Sequence, residues 1–408
     1  MRELSYLDKL LDGVEVEWKP LGDESSFDIA NSGRKPVKAS LREPGATPYY
    51  GANNIQDYVD GYTHDGEFVL IAEDGSASLE NYSIQYAEGK FWANNHVHVV
   101  RGTQAVNTRF LYHHLSIVNF IPFLTGGGRA KLTKGSMVEI QIPIPCPENP
   151  KRSLEIQAEI VRILDTFTEL TAELTAELTA RKKQYKHYRD QLLQFRGVDV
   201  EWTALSELGE FIRGKRFTKA DYAEDGVPVI HYGEIYTRYG VFTDRTFSRV
   251  RSDLAESLRY AEPGDVVITD VGETVEDVGK AVAWLGDGKV AIHDHCYAFR
   301  HAMNPKFVSY CMQTASFIAE KAKYVARTKV NTLLINGFAK IAIPVPYPDD
   351  REKSLTEQAR IVAILDKFDA LTNSISEGLP REIELRQKQY EHYRNLLLNF
   401  PKPEEMAA

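Results

Sequence analysis

The sequence predicts an α+β protein in which two pseudo-symmetric mixed domains are separated by two long antiparallel coiled-coil helices, and three internal repeats carry this prediction. The stretch IQIPIPCPENPKRSLEIQAEIVRILDTFTELT at 140–171 returns as IAIPVPYPDDREKSLTEQARIVAILDKFDALT at 341–372. RKKQYKHYRDQLLQF at 181–195 returns as RQKQYEHYRNLLLNF at 386–400, and an N-terminal GVEVEW returns as GVDVEW. A repeat near half the chain length indicates two copies of one unit rather than a solenoid of short repeats.

The segments between the repeats, 21–138 and 205–338, are predicted to be compact mixed α/β domains. They share a skeleton of apolar and glycine positions, whereas their polar residues have diverged. GEFVLIAEDG and GDVVITDVGE each predict a short strand closed by an acidic residue and glycine. FWANNHVHVV and VAIHDHCYAF predict a further alternating strand, and FLYHHL and FVSYCM predict helix starts. AEGK at Gly89 and GDGK at Gly288 predict hairpin turns at equivalent places.

Long helices are predicted to follow the two proline-ended strands IPIPCP and IPVPYP. Ser153 and Ser354 are the expected N-caps, and Ser354 with Glu357 has the spacing of a capping box. Gly378 and Pro380 are expected to break or kink the second helix. Apolar residues recur at three, four or seven positions, as in a coiled-coil seam. The seam residues are Leu164, Phe167, Leu174, Leu178, Tyr185, Tyr188, Leu192 and Phe195, then Leu365, Phe368, Leu371, Ile375, Tyr390, Tyr393, Leu397 and Phe400.

Charge is graded along these helices, and the gradient favours an antiparallel pair. The first helix begins with acidic residues and ends with basic ones, and the second shows a milder form of the same gradient. Such a gradient suits each helix dipole and also lays acidic halves against basic halves in an antiparallel pair. A surface helix without a partner is the alternative. About 40 residues at roughly 1.5 Å each give a helix of about 60 Å, enough to hold two domains a double-helical turn apart.

Composition limits the class of protein. The chain has 408 residues, 43% hydrophobic and 26% charged, as expected for two or three globular domains. It has no apolar run long enough to cross a bilayer and no signal-peptide pattern, so we expect a cytoplasmic protein without a membrane partner. Its three cysteines, Cys146, Cys296 and Cys311, are too few and too scattered for a disulfide framework or a thiolate zinc site.

The positions of the basic residues favour nucleic-acid binding, although the net charge of the chain does not. A formal net charge of -9 argues against phosphate binding, which needs a cationic surface. Basic residues nevertheless cluster near both ends of both variable segments. Each run taken singly is typical of a solvated face, whereas the recurrence favours a phosphate-facing surface. The runs are Arg34, Lys35, Lys38 and Arg42; Arg129, Lys131 and Lys134; Arg213, Lys215, Arg216 and Lys219; and Lys321, Lys323, Arg327 and Lys329.

Motifs for built-in chemistry are absent or better explained structurally. The chain lacks an Asn-Pro-Pro-aromatic motif and a glycine fingerprint for S-adenosylmethionine. The stretch 272–280 is a near miss for a phosphate loop, because its glycines are too far apart and Ala281 replaces Ser or Thr. EGK at 88–90 and DGK at 287–289 mimic the end of a metal-nuclease motif, but hairpin turns explain both. His293 and His295 are expected to be structural, since strand alternation places Cys296 on the opposite face.

Taken together, these motifs resemble the specificity subunit of type I restriction and modification enzymes over the whole chain. The resemblance rests on IPIPCP and IPVPYP, each followed by a long helix, and on the RKKQYKHYRDQLL and RQKQYEHYRNLLL blocks. TAELTAEL at 171–178 is similar to the type IC group in particular. The resemblance implies two target-recognition domains that each read half of a bipartite, asymmetric site in double-stranded DNA. It also implies helices that act as a spacer and dock two methyltransferase subunits, which restriction/translocase subunits join.

The resemblance further implies that this chain holds no cofactor, catalytic residue or metal of its own. The partner subunits would use S-adenosylmethionine, ATP and Mg²⁺. The predicted parts are an N-terminal stub at 1–12, a first target-recognition domain at 13–152, a central helix at 153–195, a second target-recognition domain at 196–353, and a C-terminal helix and tail at 354–408.

Arg, Lys, Asn and Tyr side chains of the two variable domains are expected to grip phosphates or read base edges. In the first domain the candidates are Arg34, Lys35, Lys38, Tyr49, Tyr50, Asn53, Asn54, Arg129 and Lys131, with a core position as the alternative for both tyrosines. In the second they are Arg213, Lys215, Arg216, Lys219, Arg327, Lys329 and Asn331. Two other functions stay open at this point: a stand-alone metal-dependent nuclease, and a scaffold without DNA readout.

Overall fold

The computed structural model describes residues 6–126, 130–195, 199–327, 330–374 and 377–402. The chain divides into two compact units, each of which combines one variable domain with helical segments. Unit 1 contains Met1–Glu173 and Ile383–Ala408, and unit 2 contains Leu174–Glu382. No helix in the described ranges is both long and apolar enough to span a membrane.

Unit 1 begins with a short helix and continues through a strand-rich domain into a long helix. Its elements are α1 Tyr6–Leu11, β1 Val16–Pro20, β2 Phe27–Ile29, β3 Pro44–Tyr50, β4 Ile55–Val59, β5 His64–Asp65, β6 Phe68–Ala72, β7 Ile84–Ala87, β8 Lys90–Ala93, β9 Val97–Gly102, α2 Thr108–Leu115, β10 Leu124–Thr125, β11 Lys131–Leu132, α3 Lys134–Met137, β12 Gln141–Pro145 and α4 Pro150–Leu192. The last residues of α4 belong to unit 2.

Unit 2 repeats this order with additional short elements. They are β13 Val200–Ala204, α5 Leu205–Leu208, β14 Gly209–Arg213, β15 Tyr222–Ile230, α6 Tyr232–Thr237, β16 Phe242–Thr243, β17 Ser248–Val250, β18 Tyr260–Ala261, β19 Val266–Thr269, β20 Val271–Gly272, β21 Ala281–Trp284, β22 Val290–Ile292, β23 Cys296–His301, α7 Pro305–Cys311, α8 Ala315–Lys321, β24 Val325–Ala326, β25 Asn331–Leu333, α9 Ile335–Phe338, β26 Ala342–Pro346, α10 Arg351–Asn373 and α11 Leu379–Leu398. Most of α11, from Ile383 onward, belongs to unit 1.

Each variable domain contains two main sheets. In unit 1 the strand orders are β2-β9-β6-β7 and β4-β3-β8-β5, and in unit 2 they are β14-β23-β19-β21-β16 and β17-β15-β22-β18. Each second sheet contains one parallel pair, β3 with β8 and β15 with β22. β6 and β19 are interior strands of the first sheet named for each unit, and all of their residues are buried in the core. The strands predicted from GEFVLIAEDG and GDVVITDVGE are therefore confirmed. The single alternating strand predicted from FWANNHVHVV is wrong, because this stretch contains β8 and β9 with a turn between them, and VAIHDHCYAF likewise contains β22 and β23.

The N-terminal and proline-ended repeats form one structural element, because they pair with each other. β1 pairs with β12 and aligns Trp18 with Pro143, and β13 pairs with β26 and aligns Trp202 with Pro344. The two pairs have the same register, so this part of the repeat is preserved in three dimensions.

The hairpins predicted at Gly89 and Gly288 are wrong. β7 pairs with β6, while β8 pairs with β3 and β5, so the turn at Gly89 connects strands of two different sheets. The turn at Gly288 does the same between β21 and β22. The strands that flank each turn have buried residues and belong to separate sheets. The composition of the turn does not show which sheet each strand joins.

The predicted N-caps Ser153 and Ser354 are also wrong, because both helices begin earlier. The side chain of Asn149 accepts a hydrogen bond from the backbone of Arg152 (3.1 Å), and that of Asp350 accepts from Lys353 (3.0 Å). The serines lie inside the first turns, and their buried Oγ atoms are acceptors for glutamine side chains.

These glutamines fasten the helices to the variable domains. Gln157 Nε2 donates to Ser153 Oγ, and Gln157 Oε1 accepts from the backbone N–H of Asn107 at 2.8 Å. In unit 2, Gln358 makes the same two bonds, to Ser354 Oγ and to the N–H of Asn304 at 2.8 Å.

The predicted helix seams are present within each unit, and so is the predicted break. α10 ends at Asn373 and α11 begins at Leu379, just after Gly378. In unit 1, Phe167 stacks on Tyr393 at 5.1 Å between ring centroids, and in unit 2 the equivalent Phe368 stacks on Tyr188 at 5.8 Å.

Antiparallel packing is visible in unit 1. One core cluster contains Ile160 and Leu164, which precede Phe167 in α4, and Leu397 and Phe400, which follow Tyr393. Ile375 of the predicted seam lies outside the described residues.

Candidate nucleic-acid interface

In both variable domains the buried central strand ends in an acidic residue, and this residue joins two distant loops. In unit 1 the backbone N–H of Glu73 donates to the His96 carbonyl (2.8 Å), and the Glu73 carbonyl accepts from Leu132 (2.8 Å). In unit 2 the backbone of Asp270 makes the same two bonds, to His295 (3.0 Å) and Leu333 (2.7 Å). The two domains therefore have the same backbone frame around different side chains.

We name two groups of side chains on this frame. The first polar cluster comprises Arg34, Asn53, Glu73, Asp74, His96 and Lys131. The second polar cluster comprises Arg213, Asp270, His295 and Asn331.

The Glu73 carboxylate organises the first polar cluster. Arg34 Nη1 lies 2.6 Å from one carboxylate oxygen and Lys131 Nζ lies 2.9 Å from the other. Burial opposes ionisation of Glu73, but the hydrogen bonds from Arg34 and Lys131 outweigh it and lower the pKa of the carboxyl. The fold thus brings together two basic runs that the sequence places at opposite ends of the domain.

The other predicted residues of the first domain have different surroundings. Arg34 also donates to the carbonyls of Asn31 and Val97, so it braces the cluster. Asn53 spans the loop after Glu73, because its Nδ2 donates to the Gly75 carbonyl and its Oδ1 accepts from Ala77. Lys35, Lys38 and Asn54 are exposed, and Arg129 lies outside the described residues.

The two predicted tyrosines lie mainly in the protein. Tyr49 is 1% exposed, and its hydroxyl accepts a hydrogen bond from the backbone N–H of Val37 at 3.0 Å. Tyr50 is half-buried against Phe91, and burial raises its pKa. Tyr49 is therefore a core residue, which was the alternative that the sequence left open.

Asp270 organises the second polar cluster with weaker charge compensation. Its two carboxylate oxygens lie 3.1 Å from His295 Nδ1 and 3.3 Å from Arg213 Nη2. Burial raises the pKa of Asp270 more than His295 and Arg213 lower it, which is opposite to the effect at Glu73. Arg213 also donates to the Asp294 carbonyl at 3.0 Å.

The remaining predicted residues of the second domain are mostly exposed. Asn331 is partly buried, and its Nδ2 donates to the Glu273 carbonyl at 2.8 Å, so it holds the loop that follows Asp270. The four exposed residues are Lys215, Arg216, Lys219 and Arg327, and Lys329 lies outside the described residues.

Sequence reasoning missed the acidic residues at the strand ends and the exposed histidines. The acid-glycine ends of the two strand runs were visible, but they were interpreted only as the ends of strands. His293 fits the structural interpretation, since it is buried, its Nε2 contacts the Phe217 carbonyl, and burial lowers its pKa to about 4. His295 is half-exposed and does not fit it. The prediction from strand alternation is wrong as well, because residues 293–295 form a turn before β23, and His293 and Cys296 are both buried.

The near-miss phosphate loop contacts the protein scaffold. Lys280, at the end of the near-miss phosphate loop, donates to the Tyr236 carbonyl at 3.3 Å. Within the described part of the chain, no three or more His, Cys, Asp or Glu side chains are grouped so that they could hold a metal ion.

Comparison with known proteins gives a consistent result. The model of the type I restriction modification DNA specificity domain matches this chain twice, at residues 15–181 and 197–385. A putative type I restriction enzyme specificity subunit of Haemophilus influenzae is 46% identical over 413 residues, which cover 97% of this chain and 98% of that protein. The specificity subunit of an Escherichia coli type I restriction enzyme is 35% identical over 426 residues and covers 100% of both chains.

Two solved structures have the same fold at low sequence identity. The type I restriction-modification S subunit of M. genitalium superposes with a TM-score of 0.56 at 16% identity, covering 96% of this chain and 97% of that one. A structure that addresses complex assembly and conformational transition of the type I R-M system superposes with a TM-score of 0.54 at 15% identity, covering 94% and 98%.

Proposed function

Because this chain belongs to the family of type I restriction-modification DNA specificity subunits, we propose that its two variable domains read the two halves of a bipartite, asymmetric DNA target. Subunits of this family provide recognition of the DNA sequence and are non-catalytic. The first half would be read by segment 21–138 and the second by segment 205–338.

The pair of polar clusters supports this proposal most directly. Each cluster lies at the end of a buried strand, and the backbone hydrogen bonds around the two clusters are the same. Both domains would therefore present side chains to DNA in a similar way. The side chains themselves differ, with Glu73 and Lys131 in one cluster and Asp270 and Asn331 in the other. A common frame with different hydrogen-bonding groups favours two half-sites of different sequence.

The contacts divide the candidate residues into two roles. Arg34, Asn53 and Asn331 already bond to the protein and would hold the reading loops in place. The exposed cations would grip phosphates, because a flexible solvated ammonium or guanidinium meets the DNA backbone at low cost. These are Lys35, Lys38, Lys215, Arg216, Lys219 and Arg327.

We further propose that the long helices dock two methyltransferase subunits, which restriction/translocase subunits join. Several large apolar residues of α4, α10 and α11 are exposed. Exposed apolar side chains along a helix are typical of a surface that a partner covers. In this proposal the partners use S-adenosylmethionine, ATP and Mg²⁺, and this chain binds none of them. The exposed residues are Tyr188, Leu371, Leu385, Tyr393 and Leu396.

The decisive experiment is to exchange one variable segment and map methylated sites. Segment 21–138 would be replaced by the corresponding segment of a relative, and the assembled enzyme would be expressed in a host without other methylation. We expect one half-site to change while the other half-site and the gap stay the same. An unchanged target would support the scaffold alternative, and a palindromic target would contradict the asymmetric assignment.

The nuclease alternative has a separate test. The purified chain would be incubated with Mg²⁺ and duplex DNA in the absence of other subunits. We expect the DNA to stay intact, whereas cleavage by the chain alone would overturn the assignment as a non-catalytic subunit.

A further inference from the structure

His96 and His295 occupy the same position of the duplicated frame. The carbonyl of each accepts the N–H of the strand-end acid, Glu73 or Asp270. The N–H of each is held by a side chain two residues earlier: His96 donates to Asn94 Oδ1 (2.8 Å) and His295 to His293 Nδ1 (3.1 Å). Four bonds of matching type therefore fix the backbone at both histidines, although the neighbouring side chains differ.

A carboxylate holds the Nδ1 atom of each ring. His96 Nδ1 lies 2.5 Å from Asp74 Oδ1, and His295 Nδ1 lies 3.1 Å from Asp270 Oδ1. The two carboxylates come from different positions of the repeat, since Glu73, and not Asp74, corresponds to Asp270. A histidine-carboxylate pair is therefore present at this position in both domains, although different residues supply the carboxylate.

The pairing determines which nitrogen of the neutral ring carries the proton. An ionised carboxylate can only accept hydrogen bonds, so Nδ1 must donate and Nε2 is left as an acceptor. The side chain of His96 is 48% exposed and that of His295 is 41% exposed. Among the described residues neither Nε2 atom has a hydrogen-bond partner.

The buried His98 of the first domain differs from His96, because both of its ring nitrogens have partners. His98 is 1% exposed, its Nε2 contacts the Leu132 carbonyl at 2.8 Å, and its Nδ1 contacts Asn31 at 3.0 Å. His98 thus uses both ring nitrogens within the protein. His96 and His295 instead have half-exposed side chains whose Nε2 has no partner among the described residues.

Cations lie next to both rings. Lys131 pairs through its backbone with Asp74, the partner of His96, and its side chain is half-exposed. Arg213 contacts the Asp270 carboxylate that holds His295, and its side chain is half-exposed. A DNA backbone gripped by these cations would bring the edges of its bases close to the two imidazoles.

We infer that His96 and His295 each read one base pair of their half-site, accepting a hydrogen bond at Nε2 from the exocyclic amino group of adenine or cytosine. Those amino groups are the hydrogen-bond donors in the major groove, whereas guanine and thymine present acceptors at the matching edge. This inference rests on the proposed function, because it assigns two specificity residues within it.

The first test measures base preference one position at a time. The full-length chain, purified with co-expressed methyltransferase subunits, would select from a pool of random duplex DNA. His96→Ala is expected to relax the preference for adenine or cytosine at one position of one half-site by roughly tenfold. His295→Ala is expected to do the same in the other half-site. His187→Ala, at an exposed histidine of α4, is the matched control and should leave every position unchanged.

A second variant tests the orienting carboxylate without removing the ring. Asp74→Asn allows either tautomer of His96, because an amide both donates and accepts. We expect it to weaken discrimination at the position that His96→Ala affects and to leave overall affinity within about twofold. Asp74 is surface-exposed, so the variant should fold, and its melting temperature would confirm this.

Base analogues provide a direct readout of the hydrogen bond. Replacing the adenine at that position by purine, or the cytosine by 2-pyrimidinone, removes only the amino group. The wild-type chain should bind the analogue DNA roughly tenfold more weakly than the natural DNA. The folded His96→Ala variant should bind the two DNAs almost equally. Unchanged selection profiles in both alanine variants, or equal losses on the analogue with and without His96, would overturn this inference alone. A wild-type chain that selects no sequence would overturn the proposed function together with it.

Discussion

At the residue scale, the two domains differ in how neighbouring charges compensate the carboxylate at the end of the central strand. Glu73 has two cations and a lowered pKa, whereas Asp270 has one arginine and one histidine and a raised pKa. A carboxylate with an excess of cations beside it leaves positive potential for phosphate. In the proposed function, the second domain would therefore depend more on its separate exposed basic residues, such as Lys215 and Arg327.

Arg327 provides the test of a phosphate contact. Arg327→Ala should weaken DNA binding for all sequences alike and reduce the slope of log affinity against log salt by about one, as expected when one phosphate contact is lost. The measurement is a salt titration of binding. Lys186→Ala, on an exposed part of α4, is the control and should leave the slope unchanged. A loss of roughly 1 to 3 kcal/mol at one base pair only would instead show that Arg327 reads a base edge.

Glu73 predicts a defined dependence of stability on pH. Its folded pKa is lower than its ordinary value of 4.5, so its contribution is complete above that pH and is lost as the pH falls through the folded pKa. Glu73→Gln should lower the free energy of unfolding by about 1 to 2 kcal/mol at pH 7, with a smaller difference in acid. Urea unfolding at several pH values measures this. The exposed Glu88→Gln is the control, and a difference that grows in acid would contradict the assignment.

At the element scale, one glutamine in each long helix connects it to a variable domain. Gln358→Ala would leave the N–H of Asn304 and the buried Ser354 Oγ without their partner. We expect the free energy of unfolding to fall by about 2 to 4 kcal/mol, because unpaired buried polar groups are costly. Gln157→Ala should have a similar effect in unit 1. Gln191→Ala, exposed on α4, is the control, and equal effects of all three substitutions would refute this role.

The TAEL repeat of α4 predicts that the helix sets the distance between half-sites. Inserting one TAEL after Leu178 keeps the four-residue leucine spacing and adds about 6 Å of rise and a rotation of roughly 40° beyond a full turn. Along B-DNA at about 3.4 Å per base pair, this corresponds to at most about 2 base pairs. Methylation mapping should show the same half-sites with a longer gap. If TAEL only favours helix formation through its residue propensities, the gap will not change.

At the scale of the whole molecule, the exposed apolar residues predict dependence on a partner. We expect the isolated chain to be poorly soluble and to become monodisperse when methyltransferase subunits are co-expressed. Leu385→Asp and Leu396→Asp should weaken that association by roughly tenfold or more, since each places a charge in an apolar contact. Co-purification and size-exclusion chromatography measure both effects. His392→Ala, exposed on the same helix, is the control, and normal assembly of both aspartate variants would exclude this face as the docking surface.

The sequence by itself determined the duplication, the alternation of variable domains with long helices, and the family. These features are local or periodic: the apolar runs predict β6 and β19, the seam predicts the helices, and Gly378 predicts the break after Asn373. Local patterns were misleading only where tertiary pairing decides. The turns at Gly89 and Gly288 look like hairpins because turn composition says nothing about which sheet each strand joins. The helices start before Ser153 and Ser354 because Asn149 and Asp350 cap them, while the two serine hydroxyls accept from buried glutamines.

Only the tertiary structure decided which polar residues act together. Arg34, Glu73 and Lys131 are far apart along the chain and meet because the end of β6 contacts both loops. The histidines show the same limit. In the sequence His293 and His295 look equivalent, yet one is buried with its Nε2 on a carbonyl and the other is half-exposed beside a carboxylate. The physical reason is that burial, charge pairing and the position of a ring proton depend on groups brought close by strand register, and a linear sequence does not contain those distances.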